Sequence, residues 1–318
     1  MPIWYDPLGL ALGVALDRLL ADPRSSVHPV ALFGRGAAKL EASLYGDDRA
    51  RGVLHVAVCV GGSAALGVLA MRYAPNRVVR TAVTAVSTWA VLGGTTLARE
   101  GDYLADALEG ADLERARARL PHLCGRDPSR LDAAEVARAT VESLAENTSD
   151  AVVAPLFWGA VAGVPGLLAY RAINTLDAMI GHHSPRYERF GWAAARLDDV
   201  ANYVPARLTG ALTVLTGPDS GQARAVLRRD GHRHPSPNAG RCEAAFAGAL
   251  GVRLGGTNVY AGRVEERPTM GDGSKPEVRD IRRAVRLTRA VGLAAAGAAV
   301  ATAWALRRVS RMTATSAG

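Results

Sequence analysis

Lysine is almost missing from this chain: of 38 basic residues among 318, only Lys39 and Lys275 are lysines. The chain contains no GxxxxGK[ST] phosphate loop, and a Schiff-base cofactor would have two candidate anchors at most. Cysteine is scarce as well. Cys59, Cys124 and Cys242 stand far apart, which excludes a disulfide scaffold and a cysteine zinc site. Aromatic residues make up only 5%, and the net charge of +8 comes from arginines interspersed with acids throughout. A nucleic-acid binder gathers its cations into a patch and interleaves aromatics, so no nucleic-acid partner is expected. The first apolar stretch lacks the basic start and small-residue cleavage site of a signal peptide and is expected to stay attached.

What the chain has in quantity is long apolar runs. Residues 53–71, 82–98, 151–170 and 290–306 contain no Asp, Glu, Lys or Arg, and arginine or aspartate flanks each of them. A hydrocarbon core of about 30 Å takes roughly 20 apolar residues as a helix, with about 17 near the lower limit. A fifth stretch, 3–20, carries only Asp6, Asp17 and Arg18, and 201–216 is a candidate half-span. The expected fold is all-α: a polytopic integral membrane protein, multi-pass in the cell (inner or cytoplasmic) membrane. It should have about four to six membrane helices in a single domain, 1–318, and long polar loops carrying amphipathic helices. Residues 100–150 read as two amphipathic helices broken at Pro121 and Asp127-Pro128, residues 217–286 as loop-rich, and residues 310–318 as a disordered tail. Gly9/Gly13 and Gly159/Gly163 have the small-xxx-small spacing that lets helices approach closely.

Four polar constellations stand beside these runs. Glu142, Glu146 and Asp150 advance by fours and fan over roughly 80° of one helix face. Carboxylates so placed repel one another unless a cation sits between them, which suggests a shared Mg²⁺ or ammonium group; a solvated helix face is the alternative. Arg171, Asn174 and Asp177 form a stripe at the end of the 151–170 run, where ionisable groups face a partner or a cavity. Asp198, Asp199 and Asn202 precede Pro205, as a metal–phosphate arrangement or as a helix cap. From Asp230 to Gly273, His232 and His234 flank an arginine, and two prolines stiffen the turn before Asn238 and Glu243. Zinc lacks a third nitrogen or sulfur ligand there.

These strings carry a family resemblance. Asp17, Asp22 and His28-Pro29-Val30 open it, followed by ESLAENTSDAVVAPLFW at 142–158 and YRAINTLDAMIGH at 170–182. RYERFGWAAARLDDVANYVPARLTG at 186–210, HPSPNAG at 234–240, EAAFAGALGVRLGG and GDG complete it. The chain resembles the adenosylcobinamide-phosphate synthase family of cobalamin biosynthesis, in order and over nearly its whole length. It departs at Ala151, where glycine is expected, and at His182-His183, where a Tyr-Lys-like pair is expected. The resemblance implies an ATP-dependent acid–amine ligase with Mg²⁺. It would join adenosylcobyric acid to (R)-1-amino-2-propanol or its O-phosphate, in contact with membrane lipid, as a homo-oligomer or beside other membrane enzymes of the pathway.

The candidate catalytic residues for that chemistry are Glu146, Asp177, Asp198 and Asp199, with Glu142, Glu146 and Asp150 as the candidate metal ligands; the sequence does not assign which acid plays which role. His28, Asn147, Arg171, Asn174, Asn202, Arg207, His234, Asn238 and Glu243 are the candidate substrate contacts. An intramembrane Mg²⁺-dependent prenyltransferase and a proton-coupled transporter are the alternatives, since Asn174-x-x-Asp177 and Asp198-Asp199 imitate diphosphate-binding acids. Asp177, Asp198 and Asn238 are expected to face one pocket, with Asp230 and His234 at its rim.

Overall fold

Short polar side chains decide where the helices begin. In the computed structural model, which describes residues 4–22, 28–260 and 263–315, Asp6 caps α1 (Pro7–Leu20). His28 caps α2 (Pro29–Leu44), which starts on a proline whose missing N–H costs nothing in the first turn. Asp48 and Asn76 cap α3 (Arg49–Tyr73) and α4 (Arg77–Val91). Each accepts a backbone N–H that has no partner inside its helix. Then follow α5 (Gly94–Glu109), α6 (Leu113–Arg119) and α7 (Ala133–Thr148), the last opened by a reciprocal Asp132–Glu135 capping box. After α8 (Ala154–Leu176) come α9 (Trp192–Ala201), α10 (Tyr203–Thr216), α11 (Ser220–Asp230) and α12 (Ala239–Leu250). Strands β1 (Leu254–Tyr260) and β2 (Arg263–Met270) pair antiparallel, and α13 (Val278–Thr315) ends the described chain.

Contacts gather the chain into two units. The first holds α1–α4, α8, α9 and the end of α13. Its helices meet through glycine. A Cβ on Gly13 of α1 would lie 2.3 Å from Thr88 Cβ of α4, and one on Gly67 of α3 2.7 Å from the Pro165 backbone of α8. The Gly9/Gly13 spacing is therefore used inside the chain, where small residues let two backbones approach. Ala37, Val56, Leu176, Ile180, Phe190 and Ala194 form a buried cluster here.

The second unit holds α5–α7, α10–α12, the hairpin and the start of α13. Arg282 of α13 reaches Asp102, Asp106 and Glu109 of α5, and Arg289 adds a second bond to Asp102. Thr148 and Thr288 exchange a hydroxyl hydrogen bond between α7 and α13.

Among the described residues three helices are long and apolar enough to cross a membrane: Arg49–Tyr73, Ala133–Gly181 and Val278–Ser310. Several expectations need correction. The 82–98 run is not one helix, because the chain turns extended at Leu92 and restarts at Gly94. The 151–170 run is broken inside at Gly163, whose φ of +63° suits glycine and whose absent Cβ makes way for the Trp4 carbonyl oxygen at 2.5 Å. The fold is mostly helical rather than all-α, since part of the loop-rich 217–286 segment closes as the β1–β2 hairpin. The 100–150 segment breaks once more than expected, between α5 and α6, where Ala111 takes a positive φ. The tail expectation fails for 310–315, which continue α13; residues 316–318 lie outside the described chain.

Candidate active site

Two π-helical turns interrupt the helical path, Ser149–Val153 and Asp177–Gly181, and each contains an acid of the sequence motifs. Such turns insert a residue into the hydrogen-bond ladder and concentrate at functional sites. At the second, the Asp177 side chain folds back over its own turn: a Cβ on Gly181 would stand 1.9 Å from Asp177 Oδ1. Only glycine leaves that room. Gly191 plays a similar part, since its Cβ would fall 1.7 Å from the Ile180 carbonyl oxygen, so the turn and the start of α9 pack backbone on backbone.

This packing sets Asp198 of α9 beside Asp177. Tyr170 Oη donates to Asn202 Oδ1 at 2.9 Å, which orients the amide so that Nδ2 donates to Asp198 Oδ2 at 3.0 Å. Tyr170 and Asn202 are buried. Burial, and then the charge of Asp177, raise the Asp198 pKa to about 7 against hydrogen bonds from Asn202 and Asn174. Asp199 faces Arg196 at 3.3 Å, and burial raises it too. The first unit thus brings together Asn174, Asp177, Asp198 and Asn202, as their separate motifs suggested. Arg171 belongs to the same helix, and its carbonyl accepts from Thr175. His28 acts locally, its Nδ1 accepting from Val30 N–H at 3.3 Å.

The second unit holds a separate buried ionic cluster. Glu142 receives Arg126 Nη2 at 2.6 Å and the Gly255 N–H at 2.8 Å, with Arg138 Nη1 at 3.5 Å. Arg138 also donates to the carbonyls of Gly255, at 2.5 Å, and Thr257, at 2.9 Å, so α7 grips the first residues of the hairpin. From β2, Arg267 reaches His234. Glu243 lies 3.8 Å from His234 Nε2. Burial, followed by the Glu142 and Glu146 charges, holds the Glu243 carboxyl well above its usual range. Burial and the Arg267 charge lower the His234 pKa to about 4.

Spacing suggested one cation shared by Glu142, Glu146 and Asp150. The structure meets the charge of Glu142 with arginines instead, and the π turn takes Asp150 off the α-helical spacing that aligned it with the glutamates. Among the described residues no three or more His, Cys, Asp or Glu side chains stand close enough to hold a metal ion. Asn147 donates to the Ser143 carbonyl, and Arg207 stacks on Tyr203 with Nη1 3.5 Å from Asn238 Oδ1. Asp230 and His234 are buried. Asp230 is a strut for the GDG turn: it accepts from Arg229, Arg233 and the Gly271 N–H, and these contacts hold its pKa down at about 2. The sequence reading missed Tyr170, Arg126, Arg138 and Arg267. Arg138 carried a signal, standing four residues before Glu142, and Tyr170 opens the 170–182 string.

The family model for CobD/Cbib proteins matches residues 10–288. The chain belongs to the CobD/Cbib family. Among relatives, the cobalamin biosynthesis protein CobD of Mycobacterium bovis is 55% identical over 303 residues, covering 94% of this chain and 96% of that protein. CobD of Geobacter metallireducens is 46% identical over 272 residues (83% and 86%), and CobD of Rhodobacter capsulatus 44% over 266 (82% and 85%). No solved structure matches the chain. Membership places this CobD/Cbib protein in cobalamin biosynthesis.

Proposed function

We propose that the protein is a multi-pass enzyme of the cell membrane that joins adenosylcobyric acid to (R)-1-amino-2-propanol, or its O-phosphate, through an amide bond at the expense of ATP. Condensing a carboxylate with an ammonium in water is uphill. In the proposed reaction the corrin carboxylate takes the γ-phosphoryl group of ATP and releases ADP. The amine then attacks the acyl carbon, phosphate leaves, and the ammonium proton passes to a base. The observation that carries this reading is the Asp177–Asp198 pair within a family of cobalamin biosynthesis. A carboxylate whose pKa is raised to about 7 suits a base at neutral pH, and the neighbouring negative charge of Asp177 attracts a substrate ammonium.

Asn174 and Asn202 orient Asp198 in this scheme, while Asp199 and Arg171 flank it. Within the second unit, Glu146, Glu243, His234 and Asn238 are candidate substrate contacts in their own right. The Glu142 set does not fit a resident three-carboxylate metal site, since arginines take its charge. Mg²⁺ therefore enters as part of MgATP, and no step here is assigned to a resident metal.

The test is direct. Purified protein in detergent, given adenosylcobyric acid, aminopropanol or its O-phosphate, and MgATP, should yield the amide by mass spectrometry with one ADP per bond. ADP formation without amide, or no reaction with either amine, would overturn the proposal.

A further inference from the structure

His234 has fewer lone pairs than its surroundings require. A neutral imidazole carries one N–H and one acceptor nitrogen. The Ser236 backbone N–H meets Nδ1 at 3.0 Å, so Nδ1 must accept and Nε2 must hold the proton. Yet Nε2 lies 2.8 Å from Nη1 of Arg267, and a guanidinium nitrogen can only donate. The other tautomer moves the conflict to Ser236 without removing it. The Glu243 carboxyl, at 3.8 Å from Nε2, is beyond direct hydrogen-bond reach.

The segment that carries the ring is closely packed. A Cβ on Gly240 would stand 2.4 Å from His234 Cβ, so α12 packs directly on it. Ser236 Oγ accepts the N–H groups of Asn238 and Ala239, which ties the turn to the start of that helix. Arg267 arrives from a hairpin whose first residues Arg138 and Glu142 hold. An oxygen of an anion between Nε2–H and the guanidinium accepts from both and removes the mismatch, and a charge-assisted contact of this kind favours phosphate or carboxylate.

We propose that His234 and Arg267 form an oxyanion-binding subsite that holds a phosphate or carboxylate oxygen of a substrate. The inference rests on the ligase reading, whose substrates offer that chemistry from three sources: a nucleoside triphosphate, an amino-alcohol phosphate and a corrin carboxylate. Equilibrium binding to the full-length protein in detergent separates them, with ATP, (R)-1-amino-2-propanol O-phosphate and adenosylcobyric acid as the probes. Arg267→Gln should weaken one probe about tenfold or more and leave the other two unchanged. His234→Gln, which keeps an N–H donor, should weaken the same probe less than His234→Ala does.

Unchanged binding of all three probes to Arg267→Gln and His234→Ala overturns the subsite. So does an equal loss of all three, which marks a purely structural role. If the variants do not fold, wild-type protein decides by arginine modification with phenylglyoxal, followed by peptide mass spectrometry. Slower modification of Arg267 in the presence of one probe supports the subsite, and identical rates with every probe overturn it. Amide formation is measured separately on wild-type protein, so a ligase that fails to ligate leaves the binding result standing.

Discussion

Asp198 shows how a single carboxyl ties stability to pH. Its folded pKa of about 7 lies above the ordinary 3.8, so folding favours the protonated form. The associated stability is complete below about pH 3.8 and is lost as pH rises through about 7. Asp198→Asn removes that dependence. The variant should melt higher than wild type at pH 8, by about 2 °C or more, and lose the advantage near pH 4, as thermal scans across pH would show. Its turnover should fall about 10²- to 10⁴-fold, the usual worth of a positioned base. Glu146→Gln should likewise remove turnover while the protein stays folded; near wild-type rates at saturating MgATP would place Glu146 outside the chemistry. Asp230 has the opposite sign. Its depressed pKa contributes stability above about pH 3.8 that is lost as pH falls through about 2. Asp230→Ala should cost about 2 kcal/mol in denaturant unfolding at pH 7, because the Gly271 N–H and the half-exposed Arg229 and Arg233 lose a shared acceptor. Helical spacing exposed the acids but not Tyr170 or Arg267, whose roles arise from long-range packing. It could not show that Asp230 braces a turn 41 residues away.

At the level of elements, glycine contacts and one arginine clamp decide how helices and hairpin fit. Gly13→Ala would push a methyl group into Thr88 and the Ala85 carbonyl. Overpacking of this kind costs about 1–3 kcal/mol, which a lower melting temperature would report. Arg138→Met removes both hydrogen bonds to the Gly255 and Thr257 carbonyls. Amide hydrogen exchange should then speed up in β1 and β2 while α8 keeps its protection. Apolar runs predicted the places of α3 and α13 well, because uncharged length is itself the signal. They failed at Leu92 and Gly163, where Gly93-Gly94 and Gly163-Val164-Pro165 break the helix without interrupting the uncharged run. The hairpin escaped because Gly255 and Gly256, which read as loop residues, take positive φ at a register shift within β1.

On the scale of the whole molecule, α3 shows why the chain is expected in a bilayer. Its 25 residues span about 38 Å at 1.5 Å per residue, and Val53, Leu54, Val58, Leu66 and Leu69 stay exposed along it. The protein should remain in the membrane fraction through high-salt and carbonate washes, and its release into the supernatant would refute that. Segregation of charge from apolar runs along the sequence is the signal behind this expectation. The division into two units was not legible, because each is assembled from segments distant in sequence.

The Asp177–Gly181 turn has a consequence for deletions. It holds one more residue than an α-helix needs, and Ala178 within it is exposed. Removing Ala178 would let the ladder close as an ordinary helix, so the segment itself should fold as readily as before. Everything after it would turn by about 100°, carrying Ile180, Gly191 and α9 together away from Asp177. Asp177 and Asp198 would lose each other across a helix that, judged alone, had been improved.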